Sequence, residues 1–280
     1  MQKSAKKYVS VKDYLVSGET FDLVYSPDYN YLITSPRPKT EDLPKYYQSQ
    51  DYISHTDQKH GFLSSLYQLV KKWSLQRKTK LIYTQNNGFG SILDVGAGTG
   101  DFLKEAKKKG WEVFGMEPNK NASYLASQKG IELKQTINEF KGVQFDVITL
   151  WHVLEHIPNL EETILDLASL LKRNGTLIIA VPNFKSYDAQ YYGKYWAAYD
   201  VPRHLWHFSK DAMDKLFSEN FHLKKIEPLI FDSFYVSLLS EKYKTGNKIS
   251  LMAFWIGLKS NLKAMRSKEY SSHIYCFKKV

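Results

Sequence analysis

From residue 91 onward the apolar positions come in blocks. SILDV (91–95), WEVFGME (111–117), FDVITL (145–150) and GTLIIAV (175–181) are short apolar runs with little polar alternation. Runs of that length predict strands buried on both faces. Between them, DFLKEAKKK (101–109), NASYLASQK (121–129) and NLEETILDLASLLKR (159–173) repeat apolar residues at helical spacing. Asn174-Gly175 closes the last of these helices. IELKQ (131–135) predicts a further strand, and SKDAMDKLFSEN (209–220) a helix with Ser209 as N-cap. HLKKIEPLIF (222–231) and SSHIYCFKK (271–279) predict two late strands. The alternation predicts an α/β fold with a parallel sheet built from βαβ units.

The first ninety residues follow another pattern. SGETFDLVYSPDYNYLITSPRPK (17–39) alternates β-formers with turn residues, which predicts a short hairpin ending in a Pro-rich connector. From Asp57 to about Ile82, the residues Phe62, Leu63, Leu66, Leu69, Val70 and Trp73 recur at helical spacing and predict a long amphipathic helix. NNGFG (86–90) then breaks the chain. The expected division is an N-terminal hairpin and helical cap over 1–87 and a larger α/β domain over 88–280.

Composition narrows the function classes. The apolar runs 176–181 and 228–231 are too short to span a bilayer, and MQKSAKKYVSVKD has no apolar core of a signal peptide. One cysteine, Cys276, allows no intrachain disulfide and argues against a cysteine-based metal site, so no metal is expected. A cytoplasmic location is the expectation. The net charge of +10 suits anionic substrates, nucleic acid or an acidic membrane surface, but the lysines are widely spread, as on a solvated basic surface.

The chemistry concentrates at SILDVGAGTGDFL (91–103), where a strand ends at an aspartate and a glycine turn opens a helix. A dinucleotide fingerprint needs G-x-G-x-x-G, yet the glycines are Gly96, Gly98 and Gly100, and Asp101 holds the third fingerprint position. A carboxylate there repels a pyrophosphate. No P-loop pattern is present. Two acids, Asp94 and Asp101, flanking a close-approach turn suit a ligand with cationic groups, such as S-adenosylmethionine. Glu117 ends the second strand, where an acid binds ribose hydroxyls, and Pro118 beside it can pack on adenine.

LDVGAGTGDFL, GMEPN (115–119) and FDVITLWHVLEHIPN (145–159) together resemble the class I S-adenosylmethionine-dependent methyltransferases, most of all the small-molecule O- and C-methyltransferase group. The resemblance covers about residues 88–231, and VPRHLWHFS (201–209) also resembles a segment of that group. It implies a Rossmann-like, seven-stranded, mostly parallel sheet whose last strand is antiparallel. It implies that Asp94, Gly96, Ala97, Gly98 and Asp101 line the methionine end, with Phe102 also among the cofactor-binding residues, and that Glu117 takes the ribose, with Pro118 beside it. Leu150, Trp151 and His152 would close over the cofactor, and the adenine contact falls among Thr136 to Glu139. VYSPDYNY (24–31) resembles the first knuckle of a zinc ribbon carried by some relatives, with Ser26 and Tyr29 at the cysteine positions, so the hairpin is expected without its metal.

Methyl transfer from a sulfonium needs a general base only when the acceptor must lose a proton. His152, Glu155, His156, His204 and His207 fall near the expected carboxyl edge, with His204 the foremost base candidate. A histidine in such a loop also serves to tie backbone together, and Glu155 and His156 also suit the start of a helix. The aromatic stretch 183–208 is long enough to be a lid, and Tyr46, Tyr47 and Tyr52 could close the opposite side. No [DN]-P-P-[YF] motif follows the fourth strand, and Cys276 is poorly placed as a nucleophile, so a small-molecule acceptor is preferred to nucleic acid. ISLMAFWIGLKSNLKAMRSK (249–268) is amphipathic and basic; it suits a peripheral membrane contact, a helix capping the core, or a subunit interface. The expected function is methyl transfer from S-adenosylmethionine to an oxygen or carbon of a small molecule. A non-catalytic S-adenosylhomocysteine-binding protein, a nucleic-acid methyltransferase and a dinucleotide oxidoreductase are the rival readings.

Overall fold

The computed structural model describes residues 6–26, 30–47, 62–247 and 250–280. Tyr29 and Tyr52 lie outside the described residues. The main sheet contains β4 (Ser91–Val95), β5 (Glu112–Met116), β6 (Phe145–Trp151), β7 (Leu171–Pro182), β9 (Phe221–Pro228) and β10 (Ser272–Lys279). Their spatial order is β5-β4-β6-β7-β10-β9. The first four are parallel, and β10 runs antiparallel to both β7 and β9. β4 is buried at every position, as an apolar run between two helix layers requires.

Among the described residues the sheet has six strands where the resemblance implied seven. Segment 131–135 contributes only a bridge, Met116 to Lys134, through Lys134 N–H to Gly115 O (2.9 Å) and Glu117 N–H to Lys134 O (2.8 Å). Ile131 and Leu133 turn inward to pack, and Thr136 already caps a 3-10 turn over Ile137–Phe140, which leaves no length for a ladder.

One layer of helices is α1 (Phe62–Asn86), α2 (Asp101–Lys108) and α3 (Lys120–Ser127). Their core includes Ile82, Phe102, Leu103, Trp111 and Ile178. On the opposite face α4 (Leu160–Leu170) and α6 (Lys210–Phe217) cover Leu93, Ile148, Leu177 and Phe277. α4 ends three residues before the expected Arg173, because Leu171 already pairs with Phe145 in β7. In α1 the helix forms as expected, yet Leu69 and Trp73 are exposed while Thr79, Leu81 and Ile82 are buried.

β1 (Lys7–Lys12), β2 (Thr20–Tyr25) and β3 (Leu32–Ser35) form an antiparallel sheet, and its fourth strand is β8 (Trp206–His207) from the aromatic segment 183–208. That segment also carries α5 (Tyr187–Tyr192). Two helices, α7 (Asp232–Thr245) and α8 (Leu251–Ser267), lie between β9 and β10 and pack with it. Buried Arg203 joins these parts: it donates to Asp13 Oδ1 (2.9 Å), to Asp200 Oδ1 (2.7 Å) and to the Tyr46 carbonyl (2.9 Å). Among the described residues no helix is long and apolar enough to cross a membrane.

Candidate active site

β4, β5 and β6 end side by side, and the chain after β4 turns through Gly96, Gly98 and Gly100 with φ of +71°, +54° and +73°. A Cβ on Gly96 would lie 2.5 Å from Val153 Cγ2, so glycine is required there on two counts. Beyond Gly98 the space is open, with nothing within 4 Å of where its Cβ would point. The Gly98 N–H donates to Glu117 Oε2 (2.9 Å), and the Asn119 N–H donates to Glu117 Oε1 (2.9 Å). Glu117 is therefore fixed at the lip of the turn, with Pro118 exposed beside it and Ala97 half-buried. Of Thr136 to Glu139 only Ile137 packs inward; Glu139 accepts from the N–H groups of Gln135 and Thr136.

Asp94 is buried at the end of β4 and accepts a 2.6 Å hydrogen bond from Thr149 Oγ1. Burial pushes its carboxyl up to about 7, against the pull of Thr149 and Lys78. Lys78 comes from α1. Burial lowers its pKa, Asp94 and Asp232 oppose that, and its ammonium sits 4.3 Å from the Trp151 ring centroid. The Phe102 ring meets Trp151 edge-on at 5.4 Å. Leu150 is wholly buried in the core. Asp101, expected at the methionine end, has both oxygens taken by lysines: Lys71 Nζ and Lys129 Nζ each lie at 2.6 Å. Burial alone would raise its pKa, but the two ammonium groups outweigh it and hold it low. Lys71 and Lys78 both belong to KKWSLQRKTK (71–80) in α1, and their spacing of seven puts both on one helix face.

After β6 the chain enters a left-handed residue, His152 (φ 58°), and then a 3-10 turn, Leu154–His156, rather than a regular helix. His152 is held between two acids, with Nδ1 3.4 Å from Glu155 Oε1 and Nε2 3.2 Å from Asp232 Oδ2. Burial works against its charged form, but the two carboxylates raise its pKa to about 10. Glu155 is fully buried, and neither carboxylate oxygen has a hydrogen-bond partner among the described residues. Burial raises its pKa; His152 and the other two histidines more than reverse this.

The His156 and His204 rings meet edge to face at 4.5 Å. Burial and the neighbouring His204 push His156 down to about 4. Its Nδ1 lies 3.1 Å from the Arg203 carbonyl and 3.0 Å from Tyr47 Oη; a carbonyl only accepts, so Nδ1 carries the proton. The same reasoning puts the His204 proton on Nδ1, which lies 2.9 Å from the Ala198 carbonyl. Glu155, His156 and His204 each offer a ligand atom within 4.8 Å of the others. His207 stands apart from this trio, bonded to Thr34 Oγ1 at 3.0 Å.

Residues 67–227, more than half of the chain, match the family model described as a methyltransferase domain. The chain belongs to the methyltransferase domain family. A ubiquinone biosynthesis O-methyltransferase of Rickettsia typhi is 27% identical over 230 residues, which cover 75% of this chain and 90% of the relative. Its counterpart in Rickettsia prowazekii is 28% identical over 179 residues, 58% of this chain and 69% of the relative. The solved structure of a magnesium protoporphyrin IX methyltransferase from Synechocystis PCC 6803, with bound SAH, shares the fold at a TM-score of 0.57 and 15% identity, over 86% of this chain and 100% of that one. The turn fits S-adenosylmethionine as the methyl donor. Space is open in front of Gly98, the carboxylates of Asp94 and Glu117 lie beside the turn, and among the described residues the turn has no cluster of free cations that would suit a pyrophosphate. Lys71 and Lys129 are spent on Asp101.

Proposed function

We propose that this methyltransferase methylates an oxygen of a small molecule, and that Glu155, His156 and His204 receive the acceptor's proton. The observation that carries this reading is the Glu155 carboxylate, fully buried, ion-paired with His152 (3.4 Å) and beside the imidazoles of His156 and His204. A buried carboxylate is costly to fold even when it is paired, so its place beside the glycine turn points to a task. Val153, two residues before it, packs on Gly96 of that turn.

The donor, when bound, supplies a methyl group already activated on a sulfonium. The chain has to hold it, exclude water and deal with the acceptor's proton. Glu117 and Asp94 would hold the ribose and methionine ends. His204, with Nδ1 donating to Ala198, would take the acceptor hydroxyl's proton at Nε2 as the oxygen attacks. His156 stays neutral, and Glu155 stabilises the resulting imidazolium. The methyl passes to oxygen, the hydroxyl proton to His204, and S-adenosylhomocysteine leaves. The names of the Rickettsia relatives support oxygen as the target. The aromatic residues Phe184, Tyr192, Trp196, Tyr199, Trp206 and Phe208 are buried in the core and tie segment 183–208 down, Trp206 with its Nε1 donating to the Ile157 carbonyl (2.7 Å).

The test is transfer of labelled methyl from S-adenosylmethionine to a panel of phenols, catechols and polyprenyl alcohols. Glu155→Gln should cut kcat about 10²- to 10⁴-fold while S-adenosylhomocysteine affinity stays unchanged. Full activity in Glu155→Gln refutes the proton-accepting role. Activity lost with chelator and restored by a divalent cation would instead make the trio a metal site.

A further inference from the structure

α8 is built inside out. Ala253, Ile256, Gly257, Ser260 and Ala264 face inward, and a Cβ on Gly257 would lie 2.9 Å from Phe234 Cα, so small residues let α7 and α8 approach closely. The large apolar side chains point outward: Leu251 is 82% exposed and Trp255 62%, with Phe254, Leu262 and Met265 all above half. A helix facing only water has the opposite arrangement. The patch continues onto α7, where Phe234 meets Phe254 at 5.3 Å and Tyr235 and Leu238 are exposed.

One flank of the apolar stripe is basic. α8 has Lys259, Lys263 and Arg266 and no acidic residue. The ammonium groups of Lys259 and Lys263 lie 5.4 and 4.1 Å from the Tyr187 ring centroid, and that of Lys244 lies 4.9 Å from Tyr191. A contiguous apolar face with an interfacial tryptophan and a cationic, tyrosine-backed flank matches the headgroup region of an anionic bilayer. A second copy of the chain is a poorer match. An isologous contact would bury the three cations of α8 with no acid on that helix to pair them.

We infer that the outer face of α8, extended by α7, docks the protein peripherally on membranes containing anionic lipid. This inference is independent of the proton-accepting role proposed above. The test is co-sedimentation of the full chain with vesicles of phosphatidylcholine alone and of phosphatidylcholine with one third phosphatidylglycerol, at low and high salt, with sedimentation equilibrium in parallel. Binding to the anionic vesicles should be about tenfold tighter or more, and salt should weaken it. Trp255→Glu with Leu262→Glu should abolish binding on both vesicle types. Lys259→Glu with Lys263→Glu should remove the preference for phosphatidylglycerol. All four positions are exposed, so an unchanged circular dichroism melt separates loss of binding from loss of fold. No vesicle binding overturns the inference whatever the oligomeric state, and so does equal binding to both compositions. A dimer broken by Trp255→Glu, without vesicle binding, would assign the face to a second copy.

Discussion

Gly96 and Gly98 stand two residues apart in the same turn, and the structure gives them different duties. Alanine at either position must adopt a left-handed backbone, at about 1–2 kcal/mol. At Gly96 the new methyl also meets Val153 Cγ2 at 2.5 Å, and overpacking of this kind adds about 1–3 kcal/mol. Gly96→Ala should therefore cost about 2–5 kcal/mol, and Gly98→Ala only the backbone part. At about 2–4 °C per kcal/mol, scanning calorimetry should find Tm lowered by about 4–20 °C in the first variant and about 2–8 °C in the second. Binding should separate them in the other sense. The Gly98 methyl would enter the open space reserved for the donor, so isothermal titration should show S-adenosylhomocysteine affinity down about tenfold or more in Gly98→Ala despite its smaller loss of Tm. A Gly98→Ala protein that keeps its affinity, or a Gly96→Ala protein that melts like the parent, would refute this division of roles.

Three further outcomes follow from the charges. Asp94, at about 7 in the fold against about 3.9 unfolded, keeps a proton that the unfolded chain releases, so ligand-free stability should fall as pH rises through that window. Asp94→Asn should remove the fall and raise the ligand-free Tm at pH 8, while S-adenosylhomocysteine affinity drops; a steep pH–Tm slope persisting in the variant would contradict this. His152, raised from 6.5 to about 10, contributes stability that is complete below 6.5 and lost as pH rises through about 10. Asp232→Asn should lower Tm at neutral pH and flatten the decline across that window, as a thermal-shift series in pH would record. Arg203→Ala strands Asp13 and Asp200 without their cation and should cost about 3–5 kcal/mol in urea unfolding.

Where neighbours in sequence determine the structure, the chain could be read directly. SILDV and FDVITL are strands because an apolar run between helices has only one place to go, and the glycine turn followed from residue identity alone. IELKQ failed as a strand because the cap at Thr136 cut it short, an effect of local turn chemistry. Contacts across the fold were not legible. Trp206 and His207 form a two-residue strand only because Ile33 and Leu32, far away in sequence, are there to pair with them. Lys78 lies in the basic run KKWSLQRKTK, which by itself suits a solvated surface; only the packing of α1 brings it under the influence of Asp94 and Asp232. Glu155 suits the start of a helix by sequence; only the return of segment 183–208, with His204 against His156, shows it as a buried carboxylate among histidines. In each case the decisive partner is supplied by tertiary packing, which hydrophobic periodicity does not encode.

The most direct test of the account is calorimetric titration of S-adenosylhomocysteine and NADH, in parallel, into the parent protein and Glu117→Ala. The account predicts micromolar S-adenosylhomocysteine binding by the parent, marked weakening in Glu117→Ala and no heat from NADH. Binding of NADH, or S-adenosylhomocysteine binding indifferent to the loss of Glu117, would contradict the assignment of the glycine turn.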